Sequence, residues 1–200
     1  MTPNKKTQRT RYSRAAGFHR WTMQMRHFLF TISLMAINGC GCIEDHYSFP
    51  PDGQTCTDPS GRFSIHWQQA TDKTSHCLSL ISEGSRNATQ FYAFNRSADI
   101  LWSPSGNRFA VTDWGGSDFS EVWVIESRNP TNQVNAEDCL PYKVVQEAKK
   151  NHHLYFEAKK WISEDRLIIR AWGHGWKEDG TGSYEQLLEI DLHTMSGRIK

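Results

Sequence analysis

The sequence predicts an all-β fold of antiparallel meanders. Short β-branched and aromatic runs alternate with turn signals along most of the chain, the pattern of hairpin-linked strands. Period-two alternation is visible in Glu121-Val122-Trp123-Val124-Ile125-Glu126 and in Arg166-Leu167-Ile168-Ile169-Arg170. No segment carries a sustained apolar stripe of helical period. The nearest, 143–161, contains Val144-Val145 and Tyr155-Phe156, residues that favour a pleated surface.

Taken in order, residues 41–61 read as loop. Pro50-Pro51-Asp52-Gly53 and Asp58-Pro59-Ser60-Gly61 are turn chemistry, with proline fixing φ and glycine supplying positive φ. Strands are expected at 62–69, 76–82, 89–95, 98–103, 108–114, 121–126, 142–147, 153–160, 166–172 and 184–192. Two stretches repeat an order of strand, serine-bearing turn, arginine, apolar strand, loop and apolar strand. The first runs from Ile100 through Trp102-Ser103-Pro104-Ser105-Gly106-Asn107-Arg108 to Ile125, the second from Lys160 through Trp161-Ile162-Ser163-Glu164-Asp165-Arg166 to Asp191.

The run W-S-P-S-G-N-R-F-A-V at 102–111 resembles the repeat of TolB-type β-propellers, in which proline and glycine close a tight turn between two strands of a blade. The second unit lacks both residues, and the resemblance covers residues 98–192. It implies a propeller-like domain over 62–200. Closed propellers use about 4–8 blades of roughly 40–50 residues, whereas residues 40–200 supply about three. An open or incomplete propeller-like stack is therefore expected, with a β-sandwich as the alternative.

The N-terminus reads as an address. Residues 1–39 hold seven of the 23 Lys and Arg and none of the 22 Asp and Glu, leaving sixteen basic against twenty-two acidic residues from position 40 onward, a net of −6. After Arg26 and His27 comes a ten-residue apolar run, Phe28 to Ile37, the tripartite form of an export signal. That run is half the ~20 residues a spanning helix needs. Met23 and Met25 are both candidate starts. Ile37-Asn38-Gly39-Cys40 resembles the lipobox of bacterial lipoproteins. The resemblance implies cleavage before Cys40, acylation of its thiol and amino group, and a tether over 40–61 between lipid and domain. Each buried methylene contributes about 0.8 kcal/mol, so several acyl chains make a durable membrane anchor. Gly41, in place of an aspartate, implies sorting to the outer membrane, facing the periplasm, in a host with two membranes.

With Cys40 lipidated, Cys42, Cys56, Cys77 and Cys139 remain as disulfide candidates in an oxidising compartment. Four cysteines allow three pairings. Cys56–Cys77 is favoured, because the intervening residues span one strand and its turn. No metal-binding spacing and no cofactor motif occurs.

The acidic body excludes a nucleic-acid binder, whose affinity rests on cations neutralising phosphates. No nucleophile elbow, P-loop, H-E-x-x-H or dinucleotide fingerprint is present, so no catalytic residue is assigned and catalysis is not expected. His152-His153 read as a solvated turn. The unusual string is Trp172-Gly173-His174-Gly175-Trp176, matched in the first unit by Asp113-Trp114-Gly115-Gly116. These give the candidate ligand-loop residues Asp113, Trp114, Trp172, His174 and Trp176. Three functions stay open: a membrane-anchored envelope protein whose β domain binds another protein, as an inhibitor or immunity-type factor; a carbohydrate- or peptidoglycan-binding module using the tryptophans; and a hydrolase built on carboxylates such as Asp113 and Asp118.

Overall fold

A computed structural model describes residues 46–50, 55–71, 74–176 and 182–200. The segment expected to be an export signal, Cys40 and Cys42 lie outside the described residues. The elements run β1 (His46–Phe49), β2 (Thr55–Thr57), β3 (Phe63–Gln69), β4 (His76–Ser82), β5 (Ala88–Phe94), β6 (Ser97–Trp102), β7 (Arg108–Trp114), β8 (Glu121–Glu126), β9 (Asn129–Asn135), a 3₁₀ turn at Ala136–Cys139, α1 (Tyr142–Ala148), β10 (Asn151–Ser163), β11 (Arg166–Trp176), β12 (Ser183–Asp191) and β13 (Ser196–Ile199).

Among the described residues these strands form three antiparallel sheets, ordered β2-β3-β4-β5, β1-β6-β7-β8-β9 and β10-β11-β12-β13. Each is a four-strand meander in chain order, the connectivity of propeller blades, with β1 added beside β6. None closes on itself, so the chain is all-β and the stack is open.

The middle sheet is apolar on both faces. Alternation on β6 sends Ala98, Ile100 and Trp102 into a core shared with the β2–β5 sheet, while Leu101 enters a second core with the β10–β13 sheet. On β7, Phe109 and Val111 join the first core and Ala110 the second; on β8, Ile125 joins the first and Val122 and Val124 the second. Burial on both faces is why these strands read as nearly continuous apolar runs. A fully buried Ile, Leu or Phe contributes about 1.5–3 kcal/mol, so the two cores supply the cohesion of the stack.

Much of each outward face is polar. On the first sheet Thr55 bonds His66 and Thr57 bonds Ser64. On the last, Arg166 and Arg198 both reach Glu189, and Arg170 lies between Glu157 and Glu185. Such polar ends cap a repeat array against further stacking.

One end of the stack is stapled. Ser103 N–H donates to Arg108 O, Gly106 N–H to Ser103 O, and Arg108 N–H to the Ser103 hydroxyl. The turn at Asp58-Pro59-Ser60-Gly61 repeats this pattern: Asp58 N–H donates to Phe63 O, Gly61 N–H to Asp58 O, and Phe63 N–H to the Asp58 carboxylate. It is a second copy of this turn, with its arginine one position earlier. Arg62 donates forward to Ser105 O (2.6 Å) in the middle sheet's turn. Arg108 donates to Glu164 O (3.1 Å) and pairs with Asp165 in the last sheet's turn. Indoles point back: Trp102 Nε1–H donates to Cys56 Sγ (2.8 Å), and Trp161 Nε1–H to Leu101 O (3.0 Å).

Three expectations are corrected. Residues 142–147 are helical, in α1, because Val144, Val145 and Ala148 fall on one face and enter the second core. Packing there overrides the strand preference of the valines. The 41–61 segment, read as loop, contains two strands: β1 pairs with β6 and buries Phe49, and β2 pairs with β3 and buries Cys56. The Cys56–Cys77 disulfide is not formed. Cys56 lies opposite Ile65 and Cys77 opposite Gln68, on strands flanking β3. Two strand spacings and a three-residue offset put them about 14 Å apart, against roughly 4.4–6.8 Å between the Cα atoms of a disulfide. Cys56, Cys77 and Cys139 are buried thiols not joined to one another; burial, then the charge of Asp138, pushes the Cys139 thiol up.

Candidate functional site

Opposite the stapled turns lies the end where β4 begins, β6 begins and β7 finishes. Its frame is fixed by register: His76 faces Phe94, Ser97 faces Trp114, and Asp113 faces Glu121. The last sheet joins it through Phe119, which bridges Leu154 at the start of β10. Six buried side-chain atoms among the described residues lack a hydrogen-bond partner: Trp67 Nε1, His76 Nδ1, Asp113 Oδ1, Asn151 Oδ1, His153 Nδ1 and Trp172 Nε1. All six belong to residues at this end. An unmet buried polar group costs about 1–3 kcal/mol, so their concentration marks a place where stability yields to another requirement.

Asp113 and Trp114 are consecutive on a strand and therefore point to opposite faces. Asp113 turns toward the first sheet, where Tyr92 O–H donates to its Oδ2 at 2.9 Å. Burial pushes the Asp113 carboxyl up, the Tyr92 hydrogen bond opposes this, and the charge of Glu121 adds to it. Burial also raises the Tyr92 phenol, helped by Asp113 and Glu121, so Tyr92 remains a proton donor. Trp114 turns toward the last sheet, donates from Nε1 to Asp99 Oδ2 at 2.7 Å, and lies 6.4 Å from the Tyr155 ring.

Trp172 and His174 stand on β11 itself, on the outward face of the last sheet. Tyr155 is the register partner of Trp172, and their rings stack at 4.2 Å and 26°. The Arg170 guanidinium lies 5.1 Å from the Trp172 ring centre. Its Nε–H donates to Glu185 at 2.9 Å. His174 stacks on His153, its register partner, at 4.3 Å and 24°. Trp176 ends β11 opposite Asn151; its side chain lies outside the described residues.

The segment after Trp114 is not an open ligand loop. It runs beside β10, with Leu154 N–H donating to Asp118 O (2.9 Å), Ser120 N–H to Leu154 O, and Tyr155 O–H to Ser117 O (2.6 Å). The Phe119 ring lies against Gly115 and Gly116, where a Cβ would meet it at 2.7 and 2.9 Å. The pairing covers the edge of β10 and brings Trp114 to Tyr155. The two tryptophan-bearing hairpins thus do meet, through a tyrosine that sequence reading passed over. Its signal was the alternation His153, Tyr155, Glu157 along β10.

Other sequence candidates do not converge. Asp118 is exposed and Asp113 faces Tyr92, so the carboxylate pair suggested for hydrolysis is not assembled. Among the described residues no three His, Cys, Asp or Glu side chains gather to hold a metal. No described helix is long and apolar enough to cross a membrane.

No family model matches the chain. No curated protein matches it either. Among solved structures it is similar to the AtxE2 isopeptidase in its ligand-free form, at 15% identity and a TM-score of 0.44 over 73% of this chain and 28% of that one. It is likewise similar to a variant of that isopeptidase with Astexin3-dC4 bound, at 14% identity and a TM-score of 0.46 over 78% of this chain and 30% of that one. The chain thus spans under a third of the length of the structures it matches.

Proposed function

We propose that this chain is a lipid-anchored protein of the cell envelope whose β domain binds another protein without catalysing a reaction. Partner and domain meet on the outward face of the β10–β13 sheet, at Trp172 and Arg170, with the buried Tyr155 ring stacked behind Trp172. The observation that carries this reading is the composition of that face. Trp, Tyr and Arg are the side chains that dominate binding energy at protein interfaces, and here they stack on a rigid sheet beside an unmet Trp172 Nε1 donor. The acidic body favours a basic partner, as an inhibitor or immunity-type factor would meet. Carbohydrate stacking is the weaker reading, because the Trp172 ring is already engaged by Tyr155 and Arg170 and offers its edge.

Anchoring rests on the basic leader, the short apolar run and Cys40. Intact mass of the purified protein reads out cleavage before Cys40 and acylation directly, and an unprocessed, lipid-free chain overturns this part. Partner capture from detergent-solubilised envelope is the second test. A protein retained by the parent and lost by both Trp172→Ala and Tyr155→Ala supports the binding face. A partner held equally by both variants refutes it.

A further inference from the structure

We propose that His153 and His174 form a two-histidine site for a divalent transition-metal ion of the zinc, copper or nickel class, independent of the protein-binding reading above. Imidazole is a good ligand for all three. The two residues are register partners on β10 and β11, which holds their Cβ atoms about 4.5–5.5 Å apart on one face. Their rings already lie side by side, 4.3 Å between centres and 24° from parallel. Two metal–nitrogen bonds of about 2.0–2.1 Å at a tetrahedral angle place the nitrogens about 3.4 Å apart. In the stack the in-plane nitrogen lone pairs run nearly parallel, so binding requires both rings to turn out of the stack until one nitrogen of each points at a common ion, with the strand pairing kept.

A second observation points the same way. His153 Nδ1 is buried and has no hydrogen-bond partner, although a buried imidazole nitrogen ordinarily finds one. An ion held by the pair would fix the ring orientation that no hydrogen bond now fixes.

The glycines around His174 serve this geometry. A Cβ on Gly173 would collide with the His153 carbonyl, so only glycine lets β11 lie this close to β10. Gly175 adopts φ +72°, a conformation that side chains with a Cβ rarely take. The string Gly173-His174-Gly175 thus lays one imidazole over its cross-strand partner. His152 points to the other face of β10 and takes no part. With two protein ligands, water completes the coordination shell, and the site is open and exchangeable.

The test is titration of the full-length protein with Zn²⁺ and with Cu²⁺ by calorimetry, with electron paramagnetic resonance of the Cu²⁺ complex. One ion per chain is expected, with hyperfine coupling to two imidazole nitrogens. His153→Asn and His174→Asn are each expected to weaken binding about tenfold or more and to reduce the coupling to one nitrogen. His152→Asn is expected to leave both readouts unchanged, and circular dichroism checks that every variant keeps its sheets. Absence of one-to-one binding, parental affinity in the His153 and His174 variants, or an equal loss in the His152 variant overturns the assignment.

Discussion

Replacing Trp161 by phenylalanine tests whether the three sheets cohere as the structure implies. Trp161 is 6% exposed and belongs to the core between the middle and last sheets. Its Nε1–H crosses that core to the Leu101 carbonyl at 3.0 Å. Phenylalanine keeps the hydrophobic anchor but removes the donor, at about 0.5–1.5 kcal/mol for the hydrogen bond. It also removes roughly two to three methylene equivalents of packing, about 2 kcal/mol at 0.8 per group. The expected loss is about 2–4 kcal/mol. At a slope of roughly 2 kcal/mol per molar urea, the unfolding midpoint falls by about 1–2 M, measured in parallel by circular dichroism and tryptophan fluorescence. Trp102→Phe is the internal comparison. Its indole donates to Cys56 Sγ across the other core, and sulfur is the weaker acceptor, so its loss is smaller. A shift under about 0.5 kcal/mol for Trp161→Phe, or a larger one for Trp102→Phe, refutes the claim that these indoles join neighbouring sheets. Non-coincident transitions in the parent protein refute the single cooperative stack itself.

Gly106→Ala is expected to cost about 1–3 kcal/mol, since Gly106 holds φ +70° and a Cβ there runs into Asp58; Gly84→Ala, at φ +72° in open space, should cost less in the same thermal melts. Arg166 first, with Arg198, holds the Glu189 carboxyl below its ordinary value. A lowered native pKa means stability that is present above the unfolded value and lost as pH falls through the native one, so Glu189→Gln should flatten the acid limb of a stability–pH curve. Asp113 has the opposite sign. Its carboxyl is raised by burial, so the folded state loses stability as pH rises through the range between the ordinary and native values. Asp113→Asn, whose new amide oxygen can still accept from Tyr92, should raise the melting temperature at pH 8 and leave it little changed at pH 3.

The strands of the middle sheet were legible because both their faces are buried, and an apolar run bounded by turns has few other readings. Bounds at 108–114 and 121–126 match β7 and β8. The strands missed were those whose burial comes from a neighbour. β9 reads Asn-Pro-Thr-Asn-Gln-Val-Asn and is held by its pairing with β8. β2 is three residues long and visible only as the partner of β3. The second copy of the Ser103 turn was hidden because Asp58 stands where Ser103 stands, and a carboxylate performs the hydroxyl's task of accepting the N–H five residues on. At the candidate site, tryptophan and glycine drew attention to two hairpins that do meet, but alternation along a strand decides facing, and it splits Asp113 from Trp114. Tyr155 was overlooked, and His153 was read as part of a solvated turn although it lies in β10, because their meaning lies in cross-strand partners, which no local pattern names.

The two ends of the stack differ in how their buried polar groups are met. At the turn end, Arg62, Arg108 and Glu164 each find partners in the adjoining sheet, Glu164 by accepting from Ser103 Oγ and Ser105 N, so every sheet is fastened to the next. At the other end the same chain leaves six buried polar atoms unmet. Apolar replacements of similar shape at those positions would remove that penalty, since burying no polar group costs less than burying an unsatisfied one. Retaining Trp67, His76, Asp113, Asn151, His153 and Trp172 there is a departure from what folding alone favours, and such departures cluster where a protein meets something else. The asymmetry also gives an order of events under stress: the unmet end loosens first while the stapled turns hold. Protection from hydrogen exchange should therefore be lower at Tyr92, Asp113 and His153 than at Ser103, Arg108 and Phe63. The reverse ranking would mean that the unmet groups are held by packing alone and that the two ends are mechanically equivalent.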